Sequence, residues 1–120
     1  MTQRTIVHVE IPAADDARAA EFYSALFGWK TQRIEEMNYT LWDAGQPGSE
    51  GGFSPLNEEN RPNEFLIYIN SDDIEADLAR AVSLGGQIIE HKTEISGMGW
   101  FGIFRDPSGN RMALYTGRKD

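Results

Sequence analysis

His8 and Glu10 stand two residues apart in the run TIVHVEIP, so on an extended strand both side chains leave the same face. An imidazole titrates near neutrality and a neighbouring carboxylate tunes it, which makes the two residues a candidate general acid/base pair. They serve equally well as a hydrogen-bonded structural pair, and the sequence leaves both readings standing. Tyr68 in FLIYIN and Arg111 and Tyr115 in NRMALYT are candidate ligand contacts. Arg111 can clamp a carboxylate or phosphate, pair with Glu10, or sit solvated at a strand end. Trp42 and Trp100 offer flat faces to a planar or cationic ligand, although aromatic residues in strands also fill cores and the alternation around these two does not fix their faces. The segment SGMGWFG, with three glycines around Trp100, reads either as a loop able to close over a ligand or as an ordinary glycine-rich turn or bulge. His91 in QIIEHKTEI has no carboxylate or histidine at a useful spacing along the chain, and no role is assigned to it.

The elements that must position these residues fall into two similar series. TIVHVEIP alternates, with Val7, Val9 and Ile11 on one face and Ile6, His8 and Glu10 on the other. AADDARAAEFYSALFG predicts a helix with Asp15 or Asp16 as N-cap, Ala19, Phe22, Tyr23 and Leu26 as its inner stripe, and Gly28 as its stop. Strands are predicted at WKTQRIEE, NYTLWDA and GGFSP, and the polar, aperiodic LNEENRPN is a linker. The order then restarts: FLIYIN as strand, SDDIEADLARAVSLGG as capped helix, and QIIEHKTEI, WFGIFR and NRMALYT as three more strands. Asp15 and Asp73, Leu26 and Leu84, and Gly28 and Gly86 are all offset by 58 residues. The chain therefore reads as a duplicated βαβββ module, with module 1 over about 1–55, a linker over about 56–63 and module 2 over about 64–120, together one domain.

Strand parity places Leu66, Tyr68 and Asn70, and Arg111, Ala113 and Tyr115, on mixed polar and aromatic faces like that of His8. The opposite positions, Ile67, Ile69, Met112 and Leu114, are apolar, as expected under helices. The turn DPSGN joins the last two strands: Pro107 presets its φ, Gly109 supplies a positive φ, and Asp106 and Asn110 can bond the local backbone. Its expected role is structural.

Composition closes several function classes. The 120 residues include no cysteine, which excludes disulfides, thiolate metal ligands and a cysteine nucleophile. No Gly-x-Ser-x-Gly elbow accompanies either histidine. A formal net charge of −8 argues against nucleic acid as a partner and favours cationic ligands through the long-range field, if it does more than keep the chain in solution. No apolar run reaches the roughly 18 residues of a membrane span, and the N-terminus alternates rather than forming a signal core. The expectation is a soluble, cytoplasmic protein.

HVEIPAADDARAAEFYSALFGW, the restart at SDDIEADLARAVSLGG and GMGWFGIFRDPSGNRMALY together resemble the vicinal oxygen chelate superfamily of glyoxalase I, bleomycin resistance proteins and extradiol dioxygenases. The resemblance implies an α+β fold in which two tandem βαβββ modules form a curled mixed sheet around a cleft, with helices outside. Metal-dependent members hold a divalent ion on four side chains from the first and last strands of each module. By that pattern the positions here carry His8, a residue near Gly52 or Phe53, Leu66 and Ala113, with Glu50 the nearest carboxylate and out of register. One ligand of four does not build a divalent site, so no metal or other cofactor is expected.

The leading expectation is thus a protein that binds a small, cationic or aromatic molecule in a cleft without metal, through His8, Glu10, Trp42, Tyr68, Trp100, Arg111 and Tyr115. The alternative is a glyoxalase-like or dioxygenase-like enzyme acting on a small oxygenated metabolite, using His8 with Glu10 or a metal completed by a partner subunit. A third reading is an association module with a vestigial pocket. A homodimer is expected by resemblance, and the sequence does not decide whether modules pair within or between chains.

Overall fold

The computed structural model describes residues 3–118. Its strands and helices run β1 (Ile6–Ala13), α1 (Asp16–Phe27), β2 (Lys30–Ile34), a short 3-10 turn (Glu35–Met37), β3 (Tyr39–Asp43), β4 (Glu50–Pro55), β5 (Leu66–Asn70), α2 (Ile74–Ser83), β6 (Gln87–Ile95), β7 (Gly99–Arg105) and β8 (Arg111–Gly117). This is the doubled βαβββ series, an α+β fold with mixed strand pairing. The chain divides into two compact units, Val7–Leu66 and a second that joins the N-terminal residues up to Ile6 to the chain from Ile67 onward.

In the first unit the strand order is β2-β3-β4-β1, with β4 antiparallel to β3 and parallel to β1. Asp15 caps α1, its side chain accepting from the Arg18 amide, and Gly28 ends the helix at φ 76°, a conformation that favours glycine. The inner stripe differs from expectation. Phe22 and Leu26 are 59% and 60% exposed, and it is Ala19, Ala20, Tyr23 and Ser24 that are partly covered. The helix is rotated by about one position because its packing is set by a ring stack rather than by aliphatic spacing. Tyr23 stacks on Phe53 at 5.9 Å and on Trp29 at 5.1 Å, and Trp29 stacks on Trp42 at 4.3 Å. On the same side Thr40 donates to the Asp16 carboxylate at 2.5 Å, and Arg33 pairs with it as well. The Thr40 hydrogen bond first, and then Arg33, hold that carboxyl below its usual range.

In the second unit the order is β5-β8-β7-β6, with β5 and β8 parallel and the remaining pairs antiparallel. Asp73 caps α2 by accepting from the Ala76 amide. Ile74 and Leu78 on the helix and Leu114 on β8 form the core, with Ile69, Ile88, Trp100 and Phe104 packed around it. Gly102 lies beneath this helix, where a Cβ would meet Ile74 at 2.8 Å. The DPSGN turn has its expected chemistry: Asp106 accepts from the amides of Ser108 and Asn110, both at 2.9 Å, and from Asn110 Nδ2. These donors, Asn110 first, hold its carboxyl below the usual range. His91, for which the chain offers no neighbour, finds one across space, since its Nδ1 lies 3.1 Å from Glu75 of α2.

Candidate functional site

The alternation of β1 turns Val9 toward α1 and leaves His8 and Glu10 on the other face of the first unit's sheet. The third member of the site comes from β3. Tyr39 hydroxyl donates to Glu10 Oε2 at 2.9 Å, and His8 Nε2 lies 2.8 Å from the same oxygen. A phenol carries one proton, and with that proton on Glu10 the oxygen can only accept from His8. The imidazole is thereby held as the tautomer protonated at Nε2. Burial also pushes the His8 pKa below its ordinary 6.5, so the ring is neutral at neutral pH. The result is a hydrogen-bonded line from imidazole through phenol to carboxylate, with the His8 and Tyr39 rings 6.3 Å apart and inclined by 27°.

Gly52 makes room for it. Register pairs Gly52 with Glu10 on β1 and with Leu41 on β3, and a Cβ at Gly52 would collide with the Tyr39 hydroxyl end. Its neighbour Gly51 faces the other way, where a Cβ would lie 2.6 Å from the Trp42 ring. The glycine pair of β4 thus admits one aromatic side chain on each face of the sheet. Tyr39 escaped the sequence analysis because NYTLWDA is bulky or apolar on both parities, so neither face declares itself. The adjacent glycines of the neighbouring strand were the available signal.

Trp42 is 4% exposed, donates from Nε1 to the Gly52 carbonyl at 3.2 Å and stacks on Trp29, which places it in the core on the α1 side. Trp100 packs beside the second unit's core, with Lys92 Nζ 5.1 Å and Arg118 Cζ 5.2 Å from its ring centre. Tyr68 pairs in register with Ala113. Arg111 and Tyr115 share the parity of Ala113 on β8, opposite to Leu114 under the helix. Tyr115 hydroxyl donates to the Met98 carbonyl at 3.0 Å, fastening the SGMGWFG turn, in which Gly97 and Gly99 have φ of 74° and 145°. The structure therefore brings His8 and Glu10 together through Tyr39 and puts Trp42 and Trp100 on the helix sides of their own sheets.

A family model described as Glyoxalase/Bleomycin resistance protein/Dioxygenase superfamily matches residues 5–114. The chain belongs to that superfamily. Among relatives of this superfamily member, CFP32 of Mycobacterium tuberculosis, which carries a provisional glyoxylase name, is 30% identical over 108 residues, covering 88% of this chain and 41% of CFP32. The chain thus spans about two fifths of the length of that relative. A glyoxylase-like domain-containing protein of Didymella fabae is 34% identical over 121 residues, with 90% of each chain covered. The crystal structure of methylmalonyl-CoA epimerase from Mycobacterium tuberculosis has the same fold, with a TM-score of 0.70 at 15% identity over 95% of this chain and 88% of the epimerase.

The superfamily's metal-dependent pattern can be tested on the residues present. Leu66 and Ala113, 4% and 0% exposed, present hydrocarbon, and Gly52 has no side chain. His8 Nε2 is committed to Tyr39. Glu50 proves to share the face of Gly52 by alternation along β4, but among the described residues no three His, Asp or Glu side chains gather in a metal-binding group. These residues do not fit a divalent ion.

Proposed function

We propose that this superfamily member binds a small cationic aromatic molecule without metal, on the sheet face of the first unit that carries His8, Tyr39 and Glu10. The observation that carries the reading is the Tyr39 hydroxyl bridging Glu10 and His8 at 2.9 and 2.8 Å. It fixes a carboxylate beside two flat rings on one half-buried strand surface, and a carboxylate flanked by rings recognises a flat cation by charge and by stacking together. The neutral imidazole adds no repelling charge, and the net charge of −8 draws cations in. Self-association belongs to this reading too, and sedimentation of the chain tests that part.

The test is titration with the planar cation proflavine against its neutral relative acridone. Saturable binding of proflavine, weakened about tenfold by Glu10→Gln and by Tyr39→Phe, is the expected result. Equal affinity for acridone, or variants that bind as the parent does, would overturn it.

One observation favours a second reading, proton transfer. A neutral imidazole joined through a phenol to a carboxylate can take a proton and hand charge along the line, which suits an enzyme acting next to the carbonyl of a small oxygenated metabolite. Exchange of deuterium from solvent into a panel of 2-oxo acids, followed by proton NMR, is then expected and is lost in His8→Gln. Absence of exchange leaves binding as the function.

A further inference from the structure

We propose that the second unit carries a binding groove of its own for a small aromatic carboxylate, formed between the last turn of α2 and the DPSGN turn. A cavity of about 340 Å³ lies there, a volume at the lower end of those that take small ligands. Its apolar lining includes Ile69, Phe104 and Leu114, and Ala81 and Leu84 border it from the helix.

The first unit shows why the space exists. Ile11 pairs in register with Phe53, and 58 residues further on Ile69 pairs with Leu114, so the two pairs occupy corresponding places in the two modules. In the first unit the ring of Tyr23 covers this place, stacked on Phe53 with planes 18° apart. The residue 58 positions after Tyr23 is Ala81. A methyl group stands where the first unit has a phenol, and the groove is the ring position left unfilled. A six-membered ring is therefore the shape it accepts, with Leu84, 62% exposed at the rim, gaining cover from it.

The charges select the rest of the ligand. Two carboxylates line the groove and both are engaged: Asp77 with Arg4 at 2.5 Å and with Ser71 at 2.6 Å, Asp106 with the three donors of its own turn. Of the guanidinium groups, Arg4 is thus neutralised. Arg80 reaches only Ser83 Oγ at 3.5 Å, and Arg105 donates to the Gly109 carbonyl at 2.9 Å. Among the described residues neither takes part in an ion pair. Each guanidinium has five N–H donors, so most remain for a ligand, and a planar carboxylate is the group that matches their fork. In a chain of net charge −8 this lining sets three guanidinium groups against two carboxylates, a net positive charge beside an unfilled ring position, which defines an anionic, aromatic occupant.

The experiment is an amide-resolved NMR titration of the full chain with benzoate, benzamide and benzylamine. Benzoate is expected to saturate with a Kd of about 1 mM, moving the amides of residues 80–86 and of Arg105, Asp106, Ser108 and Gly109, and benzamide to bind about tenfold more weakly. Arg80→Gln with Arg105→Gln should weaken benzoate about tenfold, and both sites are exposed, so folding is preserved. Ala81→Phe should abolish the shifts by supplying the missing ring, while His8→Gln should leave them unchanged. Equal or tighter binding of benzamide or benzylamine, shifts centred on His8 and Tyr39, or no saturable shift with benzoate would each overturn the proposal. Should Ala81→Phe fail to fold, the arginine double variant decides.

Discussion

The two modules reach one topology through different interiors. At the positions where α2 contributes Ile74 and Leu78, 1% and 0% exposed, α1 has Asp16 and Ala20. The first module replaces the missing aliphatic volume with a run of stacked rings and with a carboxylate clasped by Thr40 and Arg33, and no residue of α1 is fully buried. Its helix is consequently held by few, large, oriented contacts. The second helix is held by its branched aliphatic side chains, Ile74 and Leu78, packed on Leu114. Both helices keep the capping aspartate but end differently, α1 on Gly28 and α2 on Leu84 followed by Gly85 at φ 105°. The difference also separates their chemistry: the aromatic module devotes its glycine pair to seating Tyr39 against His8 and Glu10, whereas the aliphatic one leaves a ring-sized groove.

The largest effect that would sharpen this contrast comes from Leu78→Ala. Truncating a fully buried leucine removes about 2–5 kcal/mol, read from the urea midpoint. The same truncation on the other helix, where Leu26 is 60% exposed and no leucine is buried, should stay within about 0.5 kcal/mol for Leu26→Ala. Comparable losses from both would show that the interiors are not built differently.

A smaller effect concerns pH. Burial lowers the His8 pKa in the folded chain below the 6.5 of the exposed side chain. As pH falls through about 6.5 the unfolded chain binds a proton that the folded chain does not, so stability drops as the pH falls below that value and is level above it. The slope cannot exceed about 1.4 kcal/mol per pH unit, and His8→Gln should flatten it between pH 5 and 7. Persistence of the slope in that variant would assign it elsewhere. Asp16 in one module and Asp106 in the other, both depressed, lose their contribution only as pH falls through the acid range below about 4.

The smallest difference is expected where the modules agree. Asp15→Ala and Asp73→Ala each remove one side-chain acceptor from a helix N-terminus and should each cost about 1 kcal/mol. Unequal costs would mean that the caps are not equivalent.

What was legible in the residues divides along the same line. The helix N-caps, the 58-residue restart and the parity of β1, β5 and β8 could be read because each rests on local chemistry or on clean alternation. The facing of β3 could not, since Tyr39 and Leu41 on one side and Thr40 and Trp42 on the other give no polar face. Nor could the rotation of α1: a stripe of Phe22, Tyr23 and Leu26 satisfies helical spacing, but which of its rings turns inward depends on the partners Trp29 and Phe53, which lie outside the helix. His91 and Glu75, separated by 16 residues, met for the same reason. Of the hydrogen-bonded line His8–Tyr39–Glu10, the strand pair was visible and the bridging phenol was not.

The indole stack of the first module has an optical consequence. Trp29 and Trp42 lie with ring centres 4.3 Å apart and planes inclined by 16°, close enough for their electronic transitions to mix. Such a pair gives a split circular-dichroism band that a lone chromophore cannot produce, and Trp100, beside Lys92 and Arg118 in the other module, is such a lone indole. The split band therefore fades when the aromatic half melts, and set against the far-ultraviolet signal of the whole chain a single heating run in unlabelled protein records whether that half goes first.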